Sequence, residues 1–212
     1  AKRVMEAAAA PGATLRFMHI ISAGREGYDA AGIPDHIHVT DADGAHSPTV
    51  AEHALALMLA LARRLPQAAA MTGRGTWERT VGEGMFSLEG RTILVIGAGA
   101  IGRAIATRAK VFGARMIGVS RDGAPRDGFD EMLALDAFDT ALPSADIVVI
   151  AIALADLDGG LLDAKRLGAM KKGALLVNIA RGGIVDSDAL AAALDAGQLG
   201  GAALDVTDPE PL

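Results

Sequence analysis

The sequence predicts an α/β fold whose main part is a doubly wound parallel sheet. From Thr92 onward, short apolar segments alternate with helical segments, and the apolar segments are almost uninterrupted, as in strands that are covered on both faces. Aromatic residues make up only 3% of the chain and 26 residues are glycine, so the core consists of small aliphatic side chains that suit close βα packing. A glycine-rich turn separates the first of these strands from the helix that follows it.

The part of the chain before Thr92 predicts fewer elements. The end of a helix and two short strands are predicted there, at 2–10, 15–22 and 36–40. A long helix is predicted over 50–65, with Thr49 as its N-cap and Pro66 as the residue that stops it. Because this helix is apolar almost all round, we expect it to be buried between domains or subunits.

The part after Thr92 predicts the parallel sheet. Its predicted strands are 93–97, 115–119, 146–152, 174–179 and 201–205. Its predicted helices lie near 100–112, 163–170 and 186–196. Residues 121–128 predict a polar loop, and no internal repeat interrupts the alternation.

Composition and charge argue against several functions. The net charge is −6 and the basic residues form no block, which argues against a nucleic-acid partner. The chain has no cysteine, which excludes disulfides, thiolate metal ligands and cysteine nucleophiles, and we assign no metal site. Its longest uncharged apolar run, 147–155, is too short to cross a bilayer, and no signal peptide is visible. We therefore expect a cytoplasmic protein with no membrane partner.

The glycine-rich turn predicts a dinucleotide site. Gly97, Gly99 and Gly102 follow the strand TILVI and open the helical segment RAIATRAKVFG. The first glycine permits the turn, the second lets the backbone approach a pyrophosphate, and the third lets helix and strand pack closely. The phosphates would bind the free N–H groups at the start of the helix, around Ala100 and Ile101.

Besides the glycine-rich turn, the chain contains further recognisable motifs, which together cover nearly its whole length. They are VAEHALALMLALARRL, Trp77, LEGRTILVIGAGAIGRAIA, ADIVVIAIAL, MKKGALLVNIARGGIVD and GGAALDVTDPEPL. Together they resemble the D-2-hydroxyacid dehydrogenase family. The resemblance implies hydride exchange between a nicotinamide coenzyme and a small 2-keto or D-2-hydroxy acid such as glyoxylate or hydroxypyruvate. It also implies two domains: part of a smaller, flavodoxin-like substrate domain over 1–48, and a Rossmann-type domain over 49–212 that is incomplete at its C-terminal end.

The resemblance assigns roles to individual residues. Arg181 matches the arginine that binds the substrate carboxylate and the neighbouring keto oxygen, a task that suits its guanidinium. Glu210 matches the glutamate that supports a catalytic histidine. Asp205 matches the aspartate near the nicotinamide carboxamide, and Ile179 is assigned to the coenzyme-binding residues. Asp186 also fits the family, but since it opens a predicted helix we assign it only the role of an N-cap.

A loop near the first predicted strand resembles the loop whose backbone N–H groups hold the substrate carboxylate. It contains Ala23, Gly24 and Arg25. An arginine is unusual there, and Arg25 either supplies a second cation for a dicarboxylate or phosphorylated substrate or extends into solvent.

The choice of coenzyme depends on the end of the second strand of the sheet. NAD sites usually carry an acidic residue there, which binds the ribose 2′-hydroxyl. This chain has Ser120 and Arg121 instead, with Arg126 nearby, a combination that favours the 2′-phosphate of NADP. Asp122 leaves NAD open as the alternative.

Two departures from the family pattern qualify the resemblance. Ala153 occupies a position where the family usually has proline. The family's catalytic histidine lies some twenty residues beyond Glu210, and none of the five histidines here matches it; His53 lies in the apolar helix, where packing is the expected role. We therefore expect these residues to be an interior span of a longer enzyme.

Alternatives remain open on sequence grounds. A non-catalytic NAD(H)-binding sensor or interaction module would need neither Arg181 nor Glu210. A formate dehydrogenase of this family typically carries glutamine where this chain has Glu210. A homodimer is expected from the resemblance, with the 50–65 helix and the Trp77 segment as its interface.

Overall fold

The computed structural model describes residues 1–21, 25–152 and 160–210. The chain divides into two compact units, residues 1–47 and 48–212, one residue away from the predicted boundary. The assignment of the first unit to a substrate domain stays a prediction. Among the described residues, no helix combines the length and apolar character that a bilayer crossing requires.

The first unit is a small α/β layer. Its elements are α1 (Lys2–Ala9), β1 (Phe17–Ile20), α2 (Glu26–Asp29) and β2 (His38–Asp41). The two strands are parallel, with Phe17 opposite His38. Met5, Ala8 and Ile37 form its buried core. Both predicted strands are confirmed, with shifted or shorter bounds.

The second unit contains the predicted parallel sheet. Its elements are α3 (Ser47–Ala62), α4 (Leu65–Gly73), β3 (Thr92–Ile96), α5 (Ala100–Lys110), β4 (Arg115–Ser120), β5 (Glu131–Ala134), β6 (Ile147–Ile150), α6 (Ala164–Ala169), β7 (Ala174–Asn178), α7 (Ser187–Asp195) and β8 (Leu199–Leu204). The described strands are all parallel, in the order β5-β4-β3-β6-β7-β8. The chain thus winds outward from β3 and again from β6, and the change of direction between them is where folds of this kind bind ligands. The predicted fold class is confirmed.

Side chains that point alternately to the two faces of the sheet fill two cores, one on each face. Ile93 and Val95 of β3 lie in the core shared with α3 and α5, and Leu94 and Ile96 lie in the core shared with α6 and α7. All four side chains are fully buried. Burial on both faces explains why the strands carry uninterrupted apolar residues.

The helical region after residue 46 differs from its prediction. Helix α3 begins at Ser47, so Thr49 lies inside it and the predicted N-cap is wrong. Arg64, with a φ of 49°, separates α3 from α4, and Pro66 lies in the first turn of α4. Proline is tolerated in a first turn, where its missing N–H has no intrahelical partner to lose. Pro66 therefore lies in the first turn of an unpredicted helix and does not stop one.

A charged cluster joins three strands at the amino edge of the sheet. Asp146 accepts hydrogen bonds from the Thr92 N–H at 2.9 Å and from Lys171 Nζ at 2.7 Å, and Arg91 lies 3.3 Å away. Burial raises the pKa of Asp146, but these hydrogen bonds and the charges of Lys171 and Arg91 outweigh burial, so the net pKa lies below its usual value. The cluster stabilises the edge opposite the strand ends at which the predicted ligand residues lie.

Candidate coenzyme and substrate site

The three glycines of the turn after β3 occupy three different environments. Gly97 has a φ of 110°, and a Cβ there would lie 2.5 Å from the Ala151 carbonyl carbon. A Cβ on Gly102 would collide with the Gly97 carbonyl oxygen. In contrast, no atom of the described residues lies within 4 Å of a Cβ built on Gly99. Two glycines are thus required by packing, and the third faces open space at the start of α5.

This open space fits a pyrophosphate. Gly99 is the N-cap of α5 and has no side chain to satisfy the first N–H groups of the helix, which include those of Ala100 and Ile101. Free N–H groups and the positive end of the helix dipole favour an anion. The turn after β3 therefore has the shape and the donors that a dinucleotide phosphate requires.

The turn after β4 holds an ionised carboxylate. Ser120 Oγ donates a hydrogen bond to Asp122 at 2.8 Å, and Arg126 donates a second one at 3.0 Å. Hydrogen bonds from Ser120, the Ala124 N–H and Arg126 lower the pKa of Asp122 to about 2. Ser120 and Arg126, which the sequence analysis proposed for a 2′-phosphate, are thus both bound to Asp122, and Arg121 is exposed beside them.

The turn after β7 carries Arg181, and Asn178 shapes it. Asn178 is fully buried. Its amide donates to the Arg181 carbonyl oxygen at 3.0 Å and accepts from the Ala180 N–H at 3.0 Å. Arg181 Nη1 donates to the Ala180 carbonyl oxygen at 2.7 Å. The backbone that presents Arg181 is therefore fixed from inside the sheet.

The segment after β8 packs on the Arg181 turn. A Cβ on Gly182 would lie 2.5 Å from the Asp208 nitrogen and closer still to the Thr207 carbonyl, so only glycine fits there. Ser187 Oγ donates to the Asp208 carbonyl oxygen at 3.3 Å. Two residues further on is Glu210, which is exposed. The structure thus brings together the two segments that carry Arg181 and Glu210.

Asp205 and His53 form a contact that the sequence analysis had not predicted. His53 Nε2 lies 3.2 Å from Asp205 Oδ1, and about half of each side chain is exposed. The expected packing role of His53 is therefore wrong: its neighbours Ala51, Ala54 and Leu55 face the core, whereas His53 lies on the outer side of α3.

Not all predicted residues contribute to this picture. Ala23, Gly24 and Ala153 lie outside the described residues. Arg25 donates to both Asp29 carboxylate oxygens at 3.0–3.1 Å, and Asp41 lies 3.7 Å away. Asp186 accepts a hydrogen bond from the Ala189 N–H at 2.9 Å, which confirms its assignment as the N-cap of α7.

The described site is a set of turns along one edge of a parallel sheet. The turns after β3 and β4, on adjacent strands, fit a dinucleotide, and the turn after β7 presents an arginine. This combination defines a dinucleotide-binding protein of the Rossmann class. Residues 55–212 match the family model described as D-isomer specific 2-hydroxyacid dehydrogenase, NAD binding domain. The chain belongs to the D-isomer specific 2-hydroxyacid dehydrogenase family.

Curated relatives of this chain include dehydrogenases and reductases. It is 40% identical over 179 residues to a D-3-phosphoglycerate dehydrogenase of Archaeoglobus fulgidus, a match that covers 82% of this chain and 33% of that protein. It is 35% identical over 204 residues to a glyoxylate reductase of Thermococcus litoralis, covering 92% of this chain and 62% of that protein. The chain thus spans between about a third and two thirds of the length of these relatives.

Solved structures show the same architecture. A D-isomer specific 2-hydroxyacid dehydrogenase family protein from Aeromonas salmonicida has a TM-score of 0.83 and 33% identity, covering 93% of this chain and 63% of that one. A D-isomer specific 2-hydroxyacid dehydrogenase from Xanthobacter autotrophicus, in complex with NADPH, has a TM-score of 0.81 and 31% identity, with coverages of 93% and 62%. An NAD-dependent formate dehydrogenase from Staphylococcus aureus, in complex with NAD, has a TM-score of 0.76 and 30% identity, with coverages of 93% and 60%.

Proposed function

We propose that this chain is the coenzyme-binding part of an oxidoreductase that transfers hydride between NAD(P)H and a small 2-keto acid of the glyoxylate or hydroxypyruvate type. The observation that carries the proposal is the packing of the Asp205–Glu210 segment on the Arg181 turn, at the same sheet edge as the dinucleotide turn. A protein that only bound a dinucleotide would need the turn after β3 but not a buried amide that fixes an arginine two strands away.

Each turn has a separate task in the proposed reaction. Gly97 to Gly102 bind the pyrophosphate through backbone N–H groups, and Ile179 and Asp205 bind the nicotinamide end. The coenzyme, when bound, supplies or accepts the hydride. Arg181 holds the substrate carboxylate and stabilises negative charge on the keto oxygen. Glu210 supports an acid–base histidine. We assign that role to none of the five histidines in this sequence.

Arg181 gives the sharpest test of substrate binding. In the enzyme that contains this chain, Arg181→Ala should lower kcat/KM for glyoxylate by at least about 100-fold, because two charge-assisted hydrogen bonds are lost. Arg181→Lys is the matched control, which keeps the charge but loses the planar fork and should recover only part of the activity. The Kd for NADPH should stay unchanged. Unchanged kcat/KM in Arg181→Ala would overturn the assignment, and coenzyme binding without any reductase activity would favour a binding module.

We further propose a preference for NADP(H), carried by Arg121. The exposed position of Arg121 directly after β4 supports this, as does the absence of an acidic residue at position 120. Asp122 opposes it, since an ionised carboxylate repels a 2′-phosphate. Isothermal titration with NADPH and NADH measures the balance. Arg121→Ala should weaken NADPH binding alone, whereas Asp122→Asn should strengthen it and weaken NADH; equal affinities in all three proteins would contradict the proposal.

We also propose the expected homodimer, with the 50–65 helix and the Trp77 segment as its interface, and we add α4, which lies between them in the sequence. Helix α4 lies wholly within the described residues, and none of its nine residues is buried. Trp77 is 88% exposed and Leu65 is 54% exposed. Large apolar side chains left uncovered in one copy are typical of a protein interface. Sedimentation velocity should show a dimer that Trp77→Ala weakens, and a monomer at micromolar concentration would refute the proposal. The cytoplasmic location stays a prediction.

A further inference from the structure

We propose that His53 is a positioning residue for the Asp205 carboxylate, and that through this contact helix α3 helps to bind the nicotinamide end of the coenzyme. The inference rests on the proposed function. It extends that function to a residue on α3, at a distance in the sequence from every predicted coenzyme residue. The observation behind it is the 3.2 Å contact between His53 Nε2 and Asp205 Oδ1.

Both ends of this contact have fixed backbones. Three residues beside His53 on α3, namely Ala51, Ala54 and Leu55, are buried in the core between α3 and the sheet. The Asp205 N–H donates to the Asn178 carbonyl oxygen at 2.9 Å, which continues the β7–β8 pairing by one residue. His53 therefore meets Asp205 at a defined point of the sheet edge, immediately beside the strand that leads to Arg181.

Stability alone does not account for this contact. About half of each side chain is exposed. Exposed ion pairs of this kind contribute about 0–1 kcal/mol, so the fold needs neither residue. A carboxylate has two oxygens, and the contact of His53 with Oδ1 leaves Oδ2 as a further acceptor. A carboxamide N–H₂ group, such as that of nicotinamide, is the donor that such an acceptor suits.

Two substitutions of His53 test this contact. Glutamine places its own Nε2 donor at nearly the same distance from the backbone, so His53→Gln keeps a donor beside Asp205 without the ring. Alanine removes the donor, and because the site is exposed and helical, His53→Ala is compatible with folding. The two variants thus separate the polar contact with Asp205 from the rest of the side chain.

Titration calorimetry of the 212-residue chain and its variants with two probes tests the proposal. NADH and NADPH contain the nicotinamide group, and ADP-ribose lacks it. We expect His53→Ala to weaken binding of the reduced coenzyme about three- to tenfold and to leave ADP-ribose binding unchanged. His53→Gln should restore the affinity. In an Asp205→Ala background, His53→Ala should have no further effect, since a residue that acts through Asp205 loses its role with it.

Four results would overturn the inference. Equal losses for the reduced coenzyme and ADP-ribose would mean that His53 acts on the general shape of the site. Additive effects of His53→Ala and Asp205→Ala would mean that the two residues act independently. An unchanged affinity in His53→Ala would mean that the contact has no role in binding. If the unsubstituted chain binds neither probe, the proposed function itself fails, which is a distinguishable outcome and overturns both.

Discussion

Asn178 offers a direct test of how the sheet controls the Arg181 turn. Asn178→Ala removes a donor to the Arg181 carbonyl oxygen and an acceptor for the Ala180 N–H, both at 3.0 Å. Ala180 is 6% exposed, so its N–H has little access to water. A buried donor left without a partner costs about 1–3 kcal/mol, and a hydrogen bond whose partner can be solvated costs about 0.5–1.5 kcal/mol. We therefore expect a loss of about 1.5–4.5 kcal/mol in the free energy of unfolding.

Urea unfolding followed by circular dichroism measures this loss, and hydrogen exchange locates it. Exchange at Ala180 and the residues after it should accelerate in Asn178→Ala well beyond the change in global stability. A loss below about 1 kcal/mol, within the range of ordinary surface substitutions, would refute the argument that this amide fixes the turn.

Gln198 provides a matched control for the same experiment. Its side-chain amide donates to the Met170 carbonyl oxygen at 2.7 Å and to the Gly168 carbonyl oxygen at 3.3 Å, near the start of β8. Gln198→Ala should therefore destabilise the chain without altering exchange at Ala180 or the affinity for NADPH. If both variants changed coenzyme affinity equally, the effect of Asn178 would be one of stability alone.

Three further predictions concern other parts of the second unit. Asp146→Asn keeps an acceptor for the Thr92 N–H but loses the charge that pairs with Lys171, and should lower the free energy of unfolding by about 1–2 kcal/mol at neutral pH. Because folding lowers the pKa of Asp146, its contribution is complete above the unfolded pKa of about 3.9 and is lost as the pH falls through the lower folded pKa. Acid unfolding curves should therefore be less steep in the variant, and identical curves would contradict this. Gly99→Ala should leave the melting temperature nearly unchanged but weaken NADPH binding at least about tenfold in calorimetry, since its Cβ would fill the proposed phosphate space. A melting temperature that falls sharply would show that this space is not open. Asp186→Ala should cost about 1 kcal/mol in urea unfolding through loss of the α7 cap, and no measurable loss would argue against capping.

Local sequence patterns were enough to predict most strands of the sheet. Strands β3, β4, β6 and β7 were predicted because their apolar residues are buried on both faces, which leaves a strong signal in the sequence. Strand β8 lies at the other edge of the sheet and buries only Leu199 completely, but Ala202, Ala203 and Leu204 still pack against the two cores. Strand β5 was missed because it is a four-residue edge strand with an exposed Glu131 and no fully buried side chain. Helix α4 was missed because Pro66 was interpreted as a stop, and whether a proline ends or begins a helix depends on the backbone before it.

The site residues likewise fall into those that local sequence patterns predict and those that they do not. The glycine turn was predicted because its spacing is local, and the structure gives each glycine a distinct reason. The pairing of Arg25 with Asp29 and of Arg126 with Asp122 was missed, although the i,i+4 spacing of each pair was available as a signal. Asn178 and the contact between His53 and Asp205 leave no such local signal. The first depends on burial under a turn, and the second joins residues at opposite ends of the second unit.

The unequal environments of the three glycines have a consequence for distant members of this family. Gly97 and Gly102 are required by contacts within the fold itself, so a descendant that abandoned its coenzyme would have to retain both in order to remain folded. Gly99 meets no such requirement and would be free to acquire a side chain. Loss of the middle glycine alone, with the outer two kept, would therefore indicate a protein that has kept the fold but lost coenzyme binding.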